Sequence, residues 1–121
     1  MGKRICVLED DDDIREVIEM LLNEEAYEVT GFASVSDFVK GGKGLMPDLF
    51  LLDVMLPDGN GIDVCEMLKS GEHTAYIPIL MMSAHSTDEL VKESCRADGF
   101  VAKPFDIDEL IRKVSQAMSI N

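Results

Sequence analysis

The sequence has little basic charge and no long apolar run. It carries 24 acidic against 11 basic side chains, which gives a formal net charge of −13. Because nucleic-acid backbones and anionic membrane surfaces are bound by basic faces, this charge argues against either as a direct partner of this segment. The longest apolar runs, Leu49–Leu52 and Ile77–Ala84, fall far short of the ~20 residues of a membrane-spanning helix.

Cysteine is also scarce. Cys6, Cys65 and Cys95 are odd in number and far apart, and neither His73 nor His85 stands at zinc-ligand spacing from them. We therefore expect three reduced thiols in a cytoplasmic protein, with Cys6 a small core residue. The first residues lead straight into a strand-like segment, so we expect no signal peptide.

What the sequence does have is an alternation of short apolar runs with longer amphipathic stretches. The length of 121 residues fits one domain. The predicted strands are Lys3–Leu8, Tyr27–Phe32, Leu49–Leu52, Ile77–Met82 and Gly99–Ala102. The predicted helices are Asp12–Glu25, a short Ser36–Lys40 with Ser36 as candidate N-cap, Ile62–Ser70, Thr87–Arg96 and a last helix capped by Asp106. Five such units predict an α/β fold, an open and doubly wound parallel sheet with helices on both faces.

Polar side chains close several of the predicted strands. Glu9 and Asp10 end the first strand, Asp53 the third, Ser83 the fourth and Lys103 the fifth. In a parallel α/β sheet these positions share the carboxyl edge, where ligands bind. We therefore expect carboxylates, a hydroxyl and an ammonium to converge in one crevice.

This set of groups favours phosphoryl chemistry. Clustered carboxylates repel one another unless a cation joins them, and carboxylate oxygens suit Mg²⁺. An ammonium such as Lys103 and a hydroxyl such as Ser83 can bind phosphoryl oxygens beside that metal. Asp53, at the end of an apolar strand and before a turn, is the best candidate for a nucleophile that forms an acyl-phosphate.

The sequence closely resembles the receiver domain of two-component response regulators. The segments that carry the resemblance are Val7–Ile18, Pro47–Gly61, Pro78–His85 and Ala97–Leu110, in the family's order and at its spacing. Together with the strand–helix pattern they cover essentially the whole chain. The resemblance implies a single receiver domain over residues 1–121, with a flavodoxin-like (βα)5 fold and strand order 2-1-3-4-5.

The resemblance also implies roles for individual residues. Asp53 matches the phosphoacceptor. Asp10 matches the direct ligand of Mg²⁺, with Asp53 also in the metal site, Glu9 acting through a water and Met55 offering its backbone carbonyl. The side chain of Met55 is expected to flank the path of an attacking water, as is His85.

Three further positions match the family's switch. Lys103 matches the lysine that pairs with the phosphoryl group, and the bond to the following Pro104 matches a position that is commonly cis. Ser83 matches the hydroxyl that moves to bond the phosphoryl group. Phe100 matches the aromatic switch residue, although its simplest interpretation from the residues alone is a core aromatic.

The resemblance further implies the partners. A sensor histidine kinase or a phosphotransfer protein would donate a phosphoryl group from phosphohistidine, and the domain would catalyse only its own phosphorylation and autodephosphorylation. The face formed by the fourth helix, fifth strand and fifth helix would then change and act on an output domain or a downstream protein. A homodimer through the fifth helix, and the choice between a stand-alone receiver and a part of a larger regulator, stay open.

Two alternatives compete with this interpretation. A haloacid-dehalogenase-like phosphatase uses the same kinds of residues but needs a second Asp two positions after the nucleophile, where this sequence has Met55. The chain is also short for that family's cap. A receiver-like fold that binds without phosphorylation is disfavoured because the site is complete, with Glu9, Asp10, Asp53, Ser83 and Lys103 all present.

Overall fold

A five-stranded parallel sheet forms the centre of the molecule. The computed structural model of the chain describes residues 2–41, 43–83 and 96–119. The sheet strands are β1 (Arg4–Leu8), β2 (Glu28–Phe32), β3 (Leu49–Asp53), β4 (Ile79–Ser83) and β5 (Gly99–Ala102). They pair in parallel in the order β2-β1-β3-β4-β5, which confirms the predicted topology.

Helices cover both faces of this sheet. They are α1 (Asp12–Glu24), α2 (Val35–Gly41), α3 (Gly61–Ser70) and the C-terminal helix (Ile107–Ser119), with a 3-10 turn at Lys43–Leu45. After β3, Met55–Leu56 and Gly59–Asn60 form a short antiparallel hairpin. The predicted helix Thr87–Arg96 lies, except for Arg96, outside the described residues. Among the helices within the described ranges, none has the length and hydrophobicity of a membrane span.

The core divides into two layers because successive strand residues point to opposite faces. In β1, Ile5 and Val7 pack on the layer under α1 and the C-terminal helix, whereas Cys6 and Leu8 pack on the layer under α2 and α3. All five residues of β3 are buried, as expected for a central parallel strand. Burial raises the pKa of the Cys6 thiol to about 12, so Cys6 is an inert core residue.

Acidic side chains cap α1 and the C-terminal helix. Asp11 caps α1 by accepting hydrogen bonds from the backbone N–H groups of Asp13 and Ile14 at 2.9 and 3.1 Å. As predicted, Asp106 caps the C-terminal helix, where its carboxylate accepts from the Glu109 N–H at 3.1 Å. Both helices therefore begin within a few residues of the carboxyl ends of β1 and β5.

The predicted start of α2 at Ser36 is one residue late, and its predicted N-cap is two residues late. The helix begins at Val35, and the hydroxyl of Ser34, not Ser36, accepts from the Asp37 N–H at 3.1 Å. Ser36 is instead a donor, because the Asp58 carboxylate accepts its N–H at 3.0 Å and that of Val35 at 2.9 Å. A side chain from the hairpin after β3 therefore fixes the start of α2.

Candidate functional site

Three carboxylates meet at the carboxyl edge of the sheet. Oxygen atoms of Glu9, Asp10 and Asp53 all lie within 4.8 Å of one another. Glu9 is fully buried and Asp53 is 4% exposed, whereas Asp10 is exposed to solvent. The structure thus brings together the three acidic residues that the sequence placed at this edge.

Lys103 reaches into this acidic cluster from β5. Its Nζ lies 2.6 Å from Oε1 of Glu9 and 3.2 Å from Oδ2 of Asp53. Its backbone is held by a hydrogen bond, since its N–H donates to the carbonyl of Ser83 at 2.8 Å. The peptide bond between Lys103 and Pro104 is cis. The ammonium is placed between a buried glutamate and the end of β3.

The charges of the cluster act on one another. Burial raises the pKa of Glu9. The hydrogen bond from Lys103 opposes this increase but does not cancel it, so the net shift is upward. Burial also lowers the pKa of Lys103, but the hydrogen bonds and negative charges of Glu9 and Asp53 outweigh it, so the net shift is upward. Lys103 is consequently an ammonium at neutral pH, ready to bind an anionic oxygen.

Glu9 is held in place by its main chain as well as by Lys103. Its N–H donates to the carbonyl of Phe32 at 3.0 Å, and its own carbonyl accepts from Nη1 of Arg15 at 2.8 Å. The second carboxylate oxygen accepts from the N–H of Asp11 at 3.2 Å. Nothing in the sequence marks Arg15 for this role, since an arginine on an amphipathic helix usually belongs to the solvated face.

Asp53 is fixed by the turn that follows β3. The N–H of Val54 donates to Met82 in the neighbouring strand at 3.0 Å, and the N–H of Gly61 donates back to Val54 at 2.8 Å. A Cβ atom at Gly61 would lie 2.1 Å from the carbonyl oxygen of Asp53. Only glycine permits this approach, so Gly61 is a site-forming residue that turn composition alone did not reveal.

The remaining predicted residues lie around this centre. Ser83 is buried at the end of β4, in register with Ala102 of β5. Phe100 is half-buried on β5 and packs against the core layer under α2 and α3. The side chain of Met55 is 65% exposed on the hairpin after β3, and His85 lies outside the described residues.

An apolar hollow lies beside Lys103. Its volume is about 610 Å³. It is lined by Asp13, Ile14, Val17, Lys103, Pro104 and Phe105. The start of α1 and the segment after β5 thus form a largely apolar depression next to a charged centre.

The chemistry of these donors fits a divalent cation. The three clustered carboxylates face one ammonium, so negative charge remains in excess. Hard carboxylate oxygens with an exposed member, here Asp10, are the ligands that Mg²⁺ takes while it keeps several waters. The arrangement can therefore hold Mg²⁺ beside a carboxylate and an ammonium.

A parallel five-stranded sheet in this order, with an acidic crevice and a lysine at its carboxyl edge, invites comparison with known proteins. A sequence profile described as the response regulator receiver domain matches residues 5–115. The chain belongs to this family. The receiver domain is a signalling domain, and its family works through phosphorylation.

Curated relatives of this receiver domain are longer than the chain itself. The DNA-binding dual master transcriptional regulator RpaA of Synechocystis is 35% identical over 116 residues, which are 92% of this chain and 47% of RpaA. The chain spans about half the length of the curated relatives that it matches.

Solved receiver domains superpose on the whole chain. The BeF3-activated receiver domain of DrrB, from Thermotoga maritima, has a TM-score of 0.86 at 29% identity and covers 98% of this chain and 99% of its own. The receiver domain of sensor histidine kinase PA1611 of Pseudomonas aeruginosa has a TM-score of 0.88 at 25% identity, with 98% and 99% coverage. That structure holds a magnesium ion in the active-site cleft.

Proposed function

We propose that this receiver domain accepts a phosphoryl group on Asp53 from the phosphohistidine of a sensor histidine kinase or a phosphotransfer protein. The observation that carries the proposal is the position of Lys103, whose ammonium lies 3.2 Å from Oδ2 of Asp53. An ammonium beside a buried carboxylate is placed to bind an oxygen of a phosphoryl group that forms there.

The transfer is a displacement at phosphorus. An oxygen of Asp53 forms the new P–O bond while the P–N bond to the partner's histidine breaks, and the imidazole nitrogen keeps the electron pair of that bond. Because the transition state spreads negative charge over the phosphoryl oxygens, catalysis consists mainly of positioning and of neutralising that charge. Lys103 supplies one fixed positive charge for this purpose.

The acidic cluster is the proposed site of Mg²⁺. Asp10 and Asp53 would bind the ion directly, Glu9 would act through a water, and Met55 would offer its backbone carbonyl. When bound, the ion neutralises phosphoryl charge. The magnesium in the active-site cleft of the PA1611 receiver domain supports the assignment for this chain.

Ser83 and Phe100 are the proposed switch residues. An aspartyl phosphate adds about −1.5 to −2 charges, by analogy with other phosphorylated side chains. The Ser83 hydroxyl would bond the phosphoryl group from the end of β4, and Phe100 would turn inward on β5. The face that the predicted fourth helix would form with β5 and the C-terminal helix would then change between two conformations, and phosphorylation would shift their populations.

The lifetime of the phosphorylated state is proposed to depend on Met55 and His85. The domain would hydrolyse its own acyl-phosphate by attack of water at phosphorus, and these two side chains would flank the path of that water. The 65% exposed side chain of Met55 supports this for one of the two. Its apolar bulk would crowd the water and slow hydrolysis.

The partners are proposed on the same basis. The apolar hollow beside Lys103 offers a docking surface to the protein that carries the phosphohistidine. The chain is proposed to be one receiver domain over residues 1–121, located in the cytoplasm, that controls an output domain or a separate protein and forms a homodimer in one of its states. Because its net charge is −13, we propose that this segment itself binds neither nucleic acid nor membrane.

Acetyl phosphate tests the proposal without a kinase. We expect the protein to gain the mass of one phosphoryl group in the presence of Mg²⁺ and to gain none in its absence or in Asp53→Asn. Asp108→Asn, an exposed residue of the C-terminal helix, is the matched control and should label like the unmodified protein. Labelling of Asp53→Asn would contradict the assignment.

The phosphatase alternative is not favoured. A haloacid-dehalogenase-like enzyme would need a proton-transferring residue at position 55, and methionine has no titratable group there. The family match over residues 5–115 is to receiver domains.

A further inference from the structure

Arg15 binds the main chain of the acidic loop, which we define as Glu9, Asp10 and Asp11. Its Nη1 donates to the carbonyl oxygen of Glu9 at 2.8 Å, and its Nη2 to Oδ1 of Asp12 at 2.6 Å. The arginine side chain is only 20% exposed although it lies on a surface helix. It is therefore packed into the structure and not a mobile surface charge.

Neighbouring side chains hold the guanidinium of Arg15 in position. Two carboxylates flank it. Oδ1 of Asp12 lies 2.6 Å from Nη2, and Oε1 of Glu19 lies 3.9 Å from Nε. On β2, a Cβ atom at Gly31 would lie 2.1 Å from Oε1 of Glu19 and 3.0 Å from Cδ of Arg15. A side chain at position 31 would therefore collide with Glu19 and press on Arg15, so Gly31 leaves room for both.

The carbonyl that Arg15 binds belongs to the residue at the centre of the cluster. The backbone of Glu9 is fixed on both sides, by its own N–H bonded to Phe32 at 3.0 Å and by its carbonyl bonded to Arg15. The next residue is Asp10, the exposed carboxylate of the cluster. A rotation of the peptide group between Glu9 and Asp10 would break the Arg15 bond and redirect the Asp10 side chain.

We propose that Arg15 is a positioning residue. By holding the carbonyl of Glu9, it fixes the acidic loop in the orientation in which its carboxylates bind a divalent cation, and so it sets the affinity of the site for Mg²⁺. This inference rests on the proposed function, which requires Mg²⁺ at Asp10 and Asp53.

A positioning role and a purely electrostatic role predict opposite effects of removing Arg15 on the affinity for Mg²⁺. A positive charge near the site repels a cation, so its removal alone would tighten Mg²⁺ binding. Loss of an outer group that orients the ligands typically weakens metal binding by about 10–100-fold. A merely structural role would lower the stability of the fold and leave the affinity of the folded protein for Mg²⁺ unchanged.

Titration with Mg²⁺ alone, followed by calorimetry, separates these cases. For Arg15→Gln we expect the Kd to rise about tenfold, at the lower end of that range because the loop keeps its other hydrogen bonds. At saturating Mg²⁺ the maximal rate of labelling by acetyl phosphate should return to that of the unmodified protein. Arg4→Gln removes the same charge from the opposite end of β1, where Arg4 pairs with Glu28 at 3.4 Å, and should not weaken binding.

Three results would each refute either the positioning role of Arg15 or the proposed function. If the unmodified protein binds Mg²⁺ and Arg15→Gln binds it equally well or more tightly, Arg15 does not position the loop. If the unmodified protein does not bind Mg²⁺, the proposed function itself fails. Should Arg15→Gln not fold by circular dichroism, Arg15→Lys decides: it keeps the charge but not the forked donor pair, so an unchanged Kd would refute the inference.

Discussion

The ammonium of Lys103 lies closer to Glu9, at 2.6 Å, than to the proposed phosphoacceptor Asp53, at 3.2 Å. Glu9 is fully buried, so Lys103 is its neutralising partner as well as a candidate ligand of the phosphoryl group. Lys103 therefore contributes both to the stability of the fold and to the chemistry of the site.

Replacing Lys103 should therefore affect both properties. We expect Lys103→Met to lose about 3–5 kcal/mol in free energy of unfolding, because the buried carboxylate of Glu9 loses its positive partner and keeps, among the described residues, only the N–H of Asp11 as a donor. The loss should shrink as the pH falls, since the pKa of Glu9 is already raised by burial and rises further without Lys103. Urea denaturation at several pH values measures this.

Lys40→Met is the matched control for that experiment, since Lys40 is exposed in the last turn of α2. It should stay within about 0.5 kcal/mol of the unmodified protein. Equal losses in the two variants would show that Lys103 has no special partner. Labelling of Lys103→Met by acetyl phosphate should also be slower at equal Mg²⁺ concentration.

The close approach of Gly61 to Asp53 gives a second prediction. In Gly61→Ala the new Cβ would lie 2.1 Å from the Asp53 carbonyl oxygen, so β3 and α3 must separate. We expect a loss of about 1–3 kcal/mol, of the size of overpacking in a core, and slower phosphorylation. Gly44→Ala is the control, because nothing lies within 4 Å of a Cβ there. Comparable unfolding midpoints for the two variants would refute this account of the turn.

Met55 permits a test of the lifetime of the phosphorylated state. If its apolar side chain crowds the attacking water, Met55→Asn should shorten the half-life of the acyl-phosphate. The measurement is the decay of labelled protein after acetyl phosphate is removed. Met20→Asn makes the same exchange on an exposed methionine of α1 and should leave the half-life unchanged. An unaltered decay in Met55→Asn would eliminate the crowding explanation.

The link between Asp58 and α2 predicts a pH dependence. Hydrogen bonds from the backbone N–H groups of Val35 and Ser36 hold the pKa of Asp58 below its ordinary value. A carboxyl with a lowered pKa in the folded state stabilises the protein above its unfolded pKa, and that contribution is lost as the pH falls through the folded pKa. The unmodified protein should exceed Asp58→Asn in stability at pH 7.

The difference in free energy of unfolding between the unmodified protein and Asp58→Asn should disappear in strongly acidic solution. Paired denaturation curves across the acid range measure it. Asp37→Asn, which removes an exposed acid of α2 and leaves Asp58 in place, should show no such convergence. A difference between the unmodified protein and Asp58→Asn that does not change with pH would indicate that the charge of Asp58 plays no part.

Much of the fold could be predicted because its signals are local. The apolar run Leu49–Leu52 is buried on both sides, which is the reason that it lacks alternation. The amphipathic periodicity of α1 and of the C-terminal helix reflects one buried face each. The convergence of Asp53 and Lys103 follows from topology, since parallel strands end at one edge.

What the sequence could not show depends on contacts between distant residues. Ser34 and Ser36 are equally suitable caps by composition, and the carboxylate that decides between them, Asp58, lies more than twenty residues further along the chain. The contact of Arg15 with a backbone carbonyl leaves no trace in amphipathic periodicity. Which carboxylate Lys103 approaches more closely depends on differences of less than an ångström.

The most direct test of the central claim is the location of the phosphoryl group. After incubation with acetyl phosphate and Mg²⁺, reduction with borohydride converts an aspartyl phosphate to homoserine, which peptide mass mapping locates. The account predicts homoserine at position 53 and at no other acidic residue, with the signal absent without Mg²⁺. Modification at Glu9 or Asp10 with Asp53 intact, or Mg²⁺-independent labelling, would contradict it.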